Sequence, residues 1–167
     1  MTYTHRIATR DDLPRIVEIY NSTIASREVT ADTEPVSVAS REAWFQDHDP
    51  ARRPLWTIHE GDDPAIVGWI SYSNFYGRPA YAGTAEVSIY IDEAWRRKGV
   101  GRYALEQAIA FAPQIKVHTL LGFIFGHNKP SLGLFERFGF ATWAHLPRVA
   151  ILDGVERDLI ILGKRVD

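Results

Sequence analysis

The sequence predicts an α/β domain: a sandwich with a mixed, mostly antiparallel central sheet flanked by helices. Three observations predict it. Several stretches alternate apolar and polar residues with the period of a strand. Others carry apolar residues at i, i+3, i+4 and i+7, one face of a helix. Their order along the chain reads β-α-α-β-β-β-α-β-α-β-β, which fits a single layered domain. The length of 167 residues suffices for one core.

Tyr3–Ile7 reads as a short first strand. Asp11 is placed to cap a helix over residues 12–21, in which Leu13, Ile16, Val17 and Tyr20 share a face. Pro14 lies in its first turn, where a missing N–H costs little. Residues 22–35 are polar and irregular. Ser37 can cap a second helix carrying Trp44 and Phe45, which ends in residues 47–54. Residues 55–59 and 65–75 read as a hairpin around Glu60-Gly61-Asp62-Asp63-Pro64. Residues 76–83, with two Gly and one Pro, form a loop.

Thr84–Ile91 alternates cleanly. Ala85, Val87, Ile89 and Ile91 fall on one face, and Thr84, Glu86, Ser88 and Tyr90 on the other. A glycine-rich loop follows. The next helix has a stripe of Val100, Tyr103, Ala104, Gln107, Ala108 and Phe111, widened by Leu105 and Ile109. Residues 117–125 are an apolar strand. Residues 130–138 are a short helix with Pro130 in its first turn and Gly139 as its stop. Residues 140–149 and 156–162 form a final strand pair around Asp153-Gly154.

Composition narrows the function. Hydrophobic residues make up 46% and charged residues 24%, the balance of an ordinary soluble domain. The formal net charge is -2 and no basic run exceeds Arg96-Arg97-Lys98, so no nucleic-acid partner is expected. There is no cysteine, which excludes disulfides, thiolate metal sites and a cysteine nucleophile; no metal is expected. The first residues are polar and no apolar run approaches a membrane span, so no membrane partner and a cytoplasmic location are expected.

The most informative segment is Arg96-Arg97-Lys98-Gly99-Val100-Gly101-Arg102-Tyr103. A glycine-rich loop opening a helix turns orphan N–H groups and the positive end of the helix dipole onto one spot, the makings of a phosphate site. Three adjacent cations suit a pyrophosphate. A Walker A loop requires Gly-Lys-Ser/Thr, absent from the chain. The segment from Gly99 to Ala104 matches G-x-G-x-x-A, but residues 92–98 separate it from its strand. No Asp or Glu stands between Glu106 and Glu136 to hold a ribose. The remaining pattern, Arg/Gln-x-x-Gly-x-Gly/Ala, fits residues 96–101.

That pattern resembles the acyl-CoA pyrophosphate loop of the GNAT superfamily of N-acetyltransferases. The resemblance extends to Ile89-Tyr90-Ile91 on the preceding strand, to Asn128 before the short helix, and to Gly139-Phe140 after it. The order of elements also matches that fold over nearly the whole chain. Within the superfamily, the chain is similar to the phosphinothricin and methionine sulfone acetyltransferases. The carrying residues are Ile19-Tyr20-Asn21, Ala43-Trp44-Phe45, Ala80-Tyr81 and Thr84-Ala85-Glu86-Val87-Ser88-Ile89-Tyr90-Ile91.

The resemblance implies an N-acetyltransferase using acetyl-CoA. Cofactor contacts are expected from Ile89, Tyr90, Ile91, Arg96, Arg97, Lys98, Gly99, Val100, Gly101, Arg102, Asn128 and Ser131. Asn128 before Lys129-Pro130 is also a good helix cap. The amine must lose a proton, and Glu86, on the polar face of its strand, is the candidate base. The alternative for Glu86 is a structural carboxylate bonded to a neighbouring loop or to the substrate ammonium. His127 reads as an ordinary loop histidine. An oxyanion donor is expected from a backbone N–H of residues 87–91. The acceptor pocket is expected from Phe75, Tyr76, Arg78, Tyr81, Glu86 and Ser88, suited to a small zwitterion.

Two departures stand out. Phe135 occupies a position where the superfamily often has Tyr and this subfamily often His, and Ala82 occupies one where the subfamily often has Arg. Arg78 in the same loop could replace that cation. The acceptor is expected to be a small-molecule amine, an amino acid or analogue; a peptide N-terminus or a non-catalytic acyl-CoA-binding role are the competing readings. A homodimer is implied by the resemblance.

Overall fold

A computed structural model of the chain describes residues 2–167. Seven strands form one sheet among the described residues: β1 (Tyr3–Ile7), β2 (Leu55–Glu60), β3 (Gly68–Asn74), β4 (Thr84–Ile91), β5 (Thr119–Phe125), β6 (Ala141–Leu152) and β7 (Val155–Arg165). Their order is β1-β2-β3-β4-β5-β7-β6. Every neighbouring pair is antiparallel except β4–β5, which is parallel. Among the described residues four α-helices lie between the strands: α1 (Leu13–Ser22), α2 (Glu42–Gln46), α3 (Val100–Phe111) and α4 (Lys129–Arg137).

The alternation of β3 and β4 builds a core on each side of the sheet. Ile70, Tyr72, Ala85 and Val87 pack with Val100, Ala104, Leu105 and Ala108 of α3. Trp69 packs on the opposite face with Ile16 and Ile19 of α1. Its indole N–H donates to the Ile16 carbonyl at 3.0 Å, satisfying the one polar atom of a buried ring. The α3 stripe predicted from period faces the core: Val100, Ala104, Leu105 and Ala108 are buried, and Tyr103, Gln107, Ile109 and Phe111 are half-buried.

Several boundaries differ from the sequence reading, each for a local reason. The cap of the first helical segment is not Asp11. A turn at Arg10–Asp12 precedes α1, and the Thr9 N–H donates to the Asp12 carboxylate at 2.7 Å. Arg6 also clasps that carboxylate, at 2.7 and 3.0 Å. The second helix begins with a turn at Ala39–Arg41, where Ser37 Oγ accepts the Ser40 N–H at 3.1 Å, as a cap should. The strand predicted from residue 65 starts at Gly68, and the one predicted from 117 starts at Thr119. The last two strands extend beyond their predicted ends. Register shifts between Thr142 and Ala144 and between Leu146 and Ala150 let β6 continue past Pro147.

Candidate active site

The site grows from the point where β4 and β5 part. Their parallel pairing covers only Thr84↔Thr119, Ala85↔Leu120 and Glu86↔Leu121. Beyond it β5 is held by β7, while β4 remains paired with β3 alone as far as Ile91. A cleft of about 100 Å³ opens there, lined by Ser88, Ile89, Tyr90, Ile91, Asn128 and Ser131 among others. Strand edges that separate leave unpaired N–H and C=O groups, which suit an extended amide-bearing ligand arm.

The glycine loop lies at the end of β4. Asp92 organises the turn after the strand: its carboxylate accepts the Ala94 N–H at 2.8 Å and meets the Arg15 guanidinium. The Tyr3 hydroxyl donates to the Lys98 carbonyl at 2.6 Å, tying the loop to β1. Gly99 has φ of 85°, a left-handed value that Gly adopts without strain, and hands over to α3. Gly101 is buried. A Cβ there would lie 3.1 Å from Ile91 Cδ1 and 3.3 Å from Leu134 Cδ2, so its bareness lets α3 approach β4 and α4. Arg97, Lys98, Gly99 and Arg102 are exposed, and Arg96 and Lys98 lean on Glu93 at 3.4 Å and the Trp95 ring at 5.1 Å. Cations and the orphan N–H groups of the α3 start therefore lie together in the segment that follows β4, a combination that suits a pyrophosphate.

Asn128 is buried, and its side-chain oxygen accepts the Ser131 N–H at 3.3 Å, capping α4. Among the described residues its amide NH₂ has no acceptor, leaving a donor for the cleft that it lines. His127 is engaged elsewhere, its Nε2–H donating to the Arg27 carbonyl at 2.7 Å.

On the α1 side of the sheet a second pocket, of about 180 Å³, is lined by Tyr20, Arg41, Trp44, Trp69, Glu86 and Tyr90, with Ser71, Ser73 and Ser88 on its floor. Glu86 is half-buried, and among the described residues it has no hydrogen-bond or ion-pair partner. Burial pushes its carboxyl above the ordinary carboxylate value of 4.5. An unpaired carboxylate with a raised pKa, facing a cavity, is equipped to take a proton. Burial also pushes the Tyr90 hydroxyl up, so it stays an O–H donor. Ser88 and Tyr90 line both cavities. The pocket holding Glu86 and the cleft below the glycine loop thus meet at these two residues.

The structure brings Glu86, Ser88, Ile89, Tyr90, Ile91, Asn128 and Ser131 to the two cavities, places residues 96–102 in the loop after β4 and the start of α3, and separates one group. Phe75, Tyr76, Arg78 and Tyr81 do not line the Glu86 pocket. Strand β3 stays paired to β4 through Asn74↔Ala85, so the loop after it leaves beyond the Glu86 end of the sheet. Its aromatics stack on one another, Phe75 on Tyr76 at 4.3 Å and Tyr81 against both. Arg78 and Tyr81 line a different cavity with Arg52 and Asn74. The aromatic and charged walls come instead from Tyr20, Arg41, Trp44 and Trp69. The alternation of Trp69, Ser71 and Ser73 opposite Tyr90, Ser88 and Glu86 was the sequence signal for the floor.

Residues 16–140 match the model of the acetyltransferase (GNAT) family. The "Putative phosphinothricin acetyltransferase YwnH" of Bacillus subtilis (strain 168) is 55% identical over 163 residues, 98% of this chain and 99% of that one. The L-methionine sulfoximine/L-methionine sulfone acetyltransferase of Pseudomonas paraeruginosa is 31% identical over 169 residues, 100% of this chain and 96% of that one. A GNAT superfamily phosphinothricin acetyltransferase from Sinorhizobium meliloti, solved in complex with AcCoA, superposes with a TM-score of 0.91 at 25% identity, covering 99% of this chain and 89% of that one.

Proposed function

The chain belongs to the acetyltransferase (GNAT) family and is an acyltransferase, and on that premise we propose that it acetylates the amine of a small amino acid or amino-acid analogue from acetyl-CoA, by direct attack in a ternary complex. The observation that carries the proposal is the meeting of the two cavities at Ser88 and Tyr90, with Glu86 on one side and, on the other, Asn128 and the end of β4 that leads into the glycine loop. Acetyl-CoA supplies an activated acyl group and a thiol leaving group. Residues 96–101 would hold its pyrophosphate, Asn128 and the free β4 edge its amide-bearing arm.

Each remaining requirement falls to a residue of this chain. Glu86 accepts the proton of the substrate ammonium, so that a neutral amine attacks. The two cavities fix the distance between amine and thioester, which is most of what such a transfer needs. An N–H on the β4 edge beyond Glu86 stabilises the oxyanion. The names of the relatives support phosphinothricin and methionine sulfone or sulfoximine as the first acceptors to try.

The test is release of free CoA thiol with a panel of amino acids, their sulfone and sulfoximine analogues, and short peptides. Turnover with free amino acids supports the proposal. Turnover with peptides alone, or tight acetyl-CoA binding with none, replaces it with one of the competing readings. We also propose a homodimer joined through the β6–β7 hairpin, where Trp143, Val149, Ile151 and Val155 are each exposed. Light scattering that gives a monomer mass at micromolar concentration would refute that part. Among the described residues no helix is long and apolar enough to cross a membrane.

A further inference from the structure

We infer that Arg41, not Arg78, reads the acceptor's carboxylate, so that the pocket selects amines carrying a carboxylate on the same carbon. The inference rests on the acyl-transfer reading above and names how that site chooses its substrate.

Of the residues that line the pocket, Arg41 is the only cation and Glu86 the only anion. Both line the same pocket as Tyr90, so they border one small volume. About 180 Å³ is the space of roughly six water molecules. An α-amino acid carries its ammonium and carboxylate one carbon apart and would set one against each charge.

The guanidinium is already positioned. Its carbon sits 4.9 Å above the Tyr20 ring centroid, and one terminal nitrogen meets the Asp32 carboxylate at 3.1 Å. The Tyr20 hydroxyl is bonded to that same carboxylate and, at 2.5 Å, to Thr30 Oγ1. Among the described residues the Arg41 guanidinium has no other hydrogen-bond partner, and a guanidinium has five N–H donors. One edge is spent on fixing its orientation and donors remain for an incoming carboxylate. A fork fixed in advance loses little freedom when it binds.

The segment bearing Asp32 and Arg41 is itself pinned. The Asn21 amide accepts the Val36 N–H at 2.9 Å and donates to the Val36 carbonyl at 3.0 Å, closing the loop over the pocket as a strand partner would. A peptide N-terminus presents an amide where the carboxylate would be, and a simple amine presents nothing. Arg78, in its own cavity with Arg52, is not in position for either.

The experiment compares the best amino-acid substrate from the panel with its α-carboxamide, in wild type, Arg41→Met, Arg41→Lys and Arg78→Met. Wild type should prefer the acid by about a hundredfold in kcat/KM, as for a desolvated charge pair. Arg41→Met should lose that factor on the acid, change the carboxamide less than about threefold, and leave the KM for acetyl-CoA unchanged. Arg41→Lys should recover part of the preference, since it keeps charge but not the fork. Equal losses on acid and carboxamide, no loss on either, or an acid-specific loss in Arg78→Met instead would overturn the assignment alone. Absence of turnover with any amino acid in wild type would overturn the underlying reading with it.

Discussion

Replacing Glu86 with Gln tests the central chemical assignment with the least disturbance of shape. Gln fills the same volume and cannot accept a proton at working pH. The carboxylate has no partner in the chain to be orphaned by the change, among the described residues. A positioned general base contributes about 10²- to 10⁴-fold, so kcat/KM at pH 7.5 should fall by that range while the KM for acetyl-CoA stays within about twofold. Free-thiol release followed from pH 5 to 9 gives the profile. In wild type kcat/KM should fall on the acid side with an inflection above 4.5, because burial raises the carboxyl from that value; the variant should lack the inflection. Stability gives an independent reading. A raised folded pKa means that the fold favours the protonated form. That contribution is complete below the unfolded value and is lost as pH rises through the folded one. Gln never ionises and escapes the loss, so the variant should melt higher than wild type at pH 8 and equal it near pH 4. Each kcal/mol recovered corresponds to about 2–4 °C in a chain of this size. Undiminished turnover across the pH range would refute the base role. A variant that melts lower at pH 8 would refute the account of an unpaired, desolvated carboxylate.

Three further outcomes follow from packing and capping. Asp12→Asn should lower Tm by about 2–4 °C at pH 7, the size of a partly exposed capped ion pair worth about 1 kcal/mol. The Arg6 and Thr9 hydrogen bonds hold that carboxyl below its ordinary value, so its stabilisation is present above the unfolded value of 3.8 and lost as pH falls through the folded one, where the gap between variant and wild type should close. Tyr72→Phe should cost about 1–2 kcal/mol in urea unfolding at unchanged m, because its buried hydroxyl donates to the Ala108 carbonyl at 2.6 Å; turnover should hold, since Tyr72 faces α3 rather than the pocket. Asn128→Ala should both destabilise by about 1 kcal/mol and raise the KM for acetyl-CoA, whereas Asn128→Ser should restore the cap but not the KM.

Much of this site was legible because it depends on local periodicity. The alternation of Thr84–Ile91 alone assigns Ala85 and Val87 to the α3 core and Glu86, Ser88 and Tyr90 to the pocket. The glycine loop is equally local, since its chemistry comes from N–H groups, cations and a helix start within a few residues. The pocket around Glu86 is different. Its walls come from α1, α2 and β3, brought together by the sheet order, and no spacing in the chain relates Tyr20 or Arg41 to Glu86. The reading that chose Phe75, Tyr76, Arg78 and Tyr81 used nearness in sequence to Glu86. In a strand that continues to its end, nearness in sequence carries a residue away along the sheet at about 3.3 Å per step. The cation that reaches the pocket is 45 residues from Glu86 rather than eight.

The same distinction explains Phe135. It occupies a position from which other members of the superfamily could donate a proton, yet here it is a packing residue. Its ring is buried, stands edge-on to Phe140 at 4.9 Å, and covers Gly122, where an added Cβ would lie only 2.5 Å from it. The loss of a donor there is tolerable because the two ends of the reaction make unequal demands. A thiol ionises near pH 8.5 and can leave without strong assistance, whereas an amine that is protonated at neutral pH cannot attack at all. The one partnerless carboxylate of the pocket is Glu86. In the proposed mechanism it takes the amine's proton, where the barrier requires help, and the thiolate end is left to apolar walls and solvent.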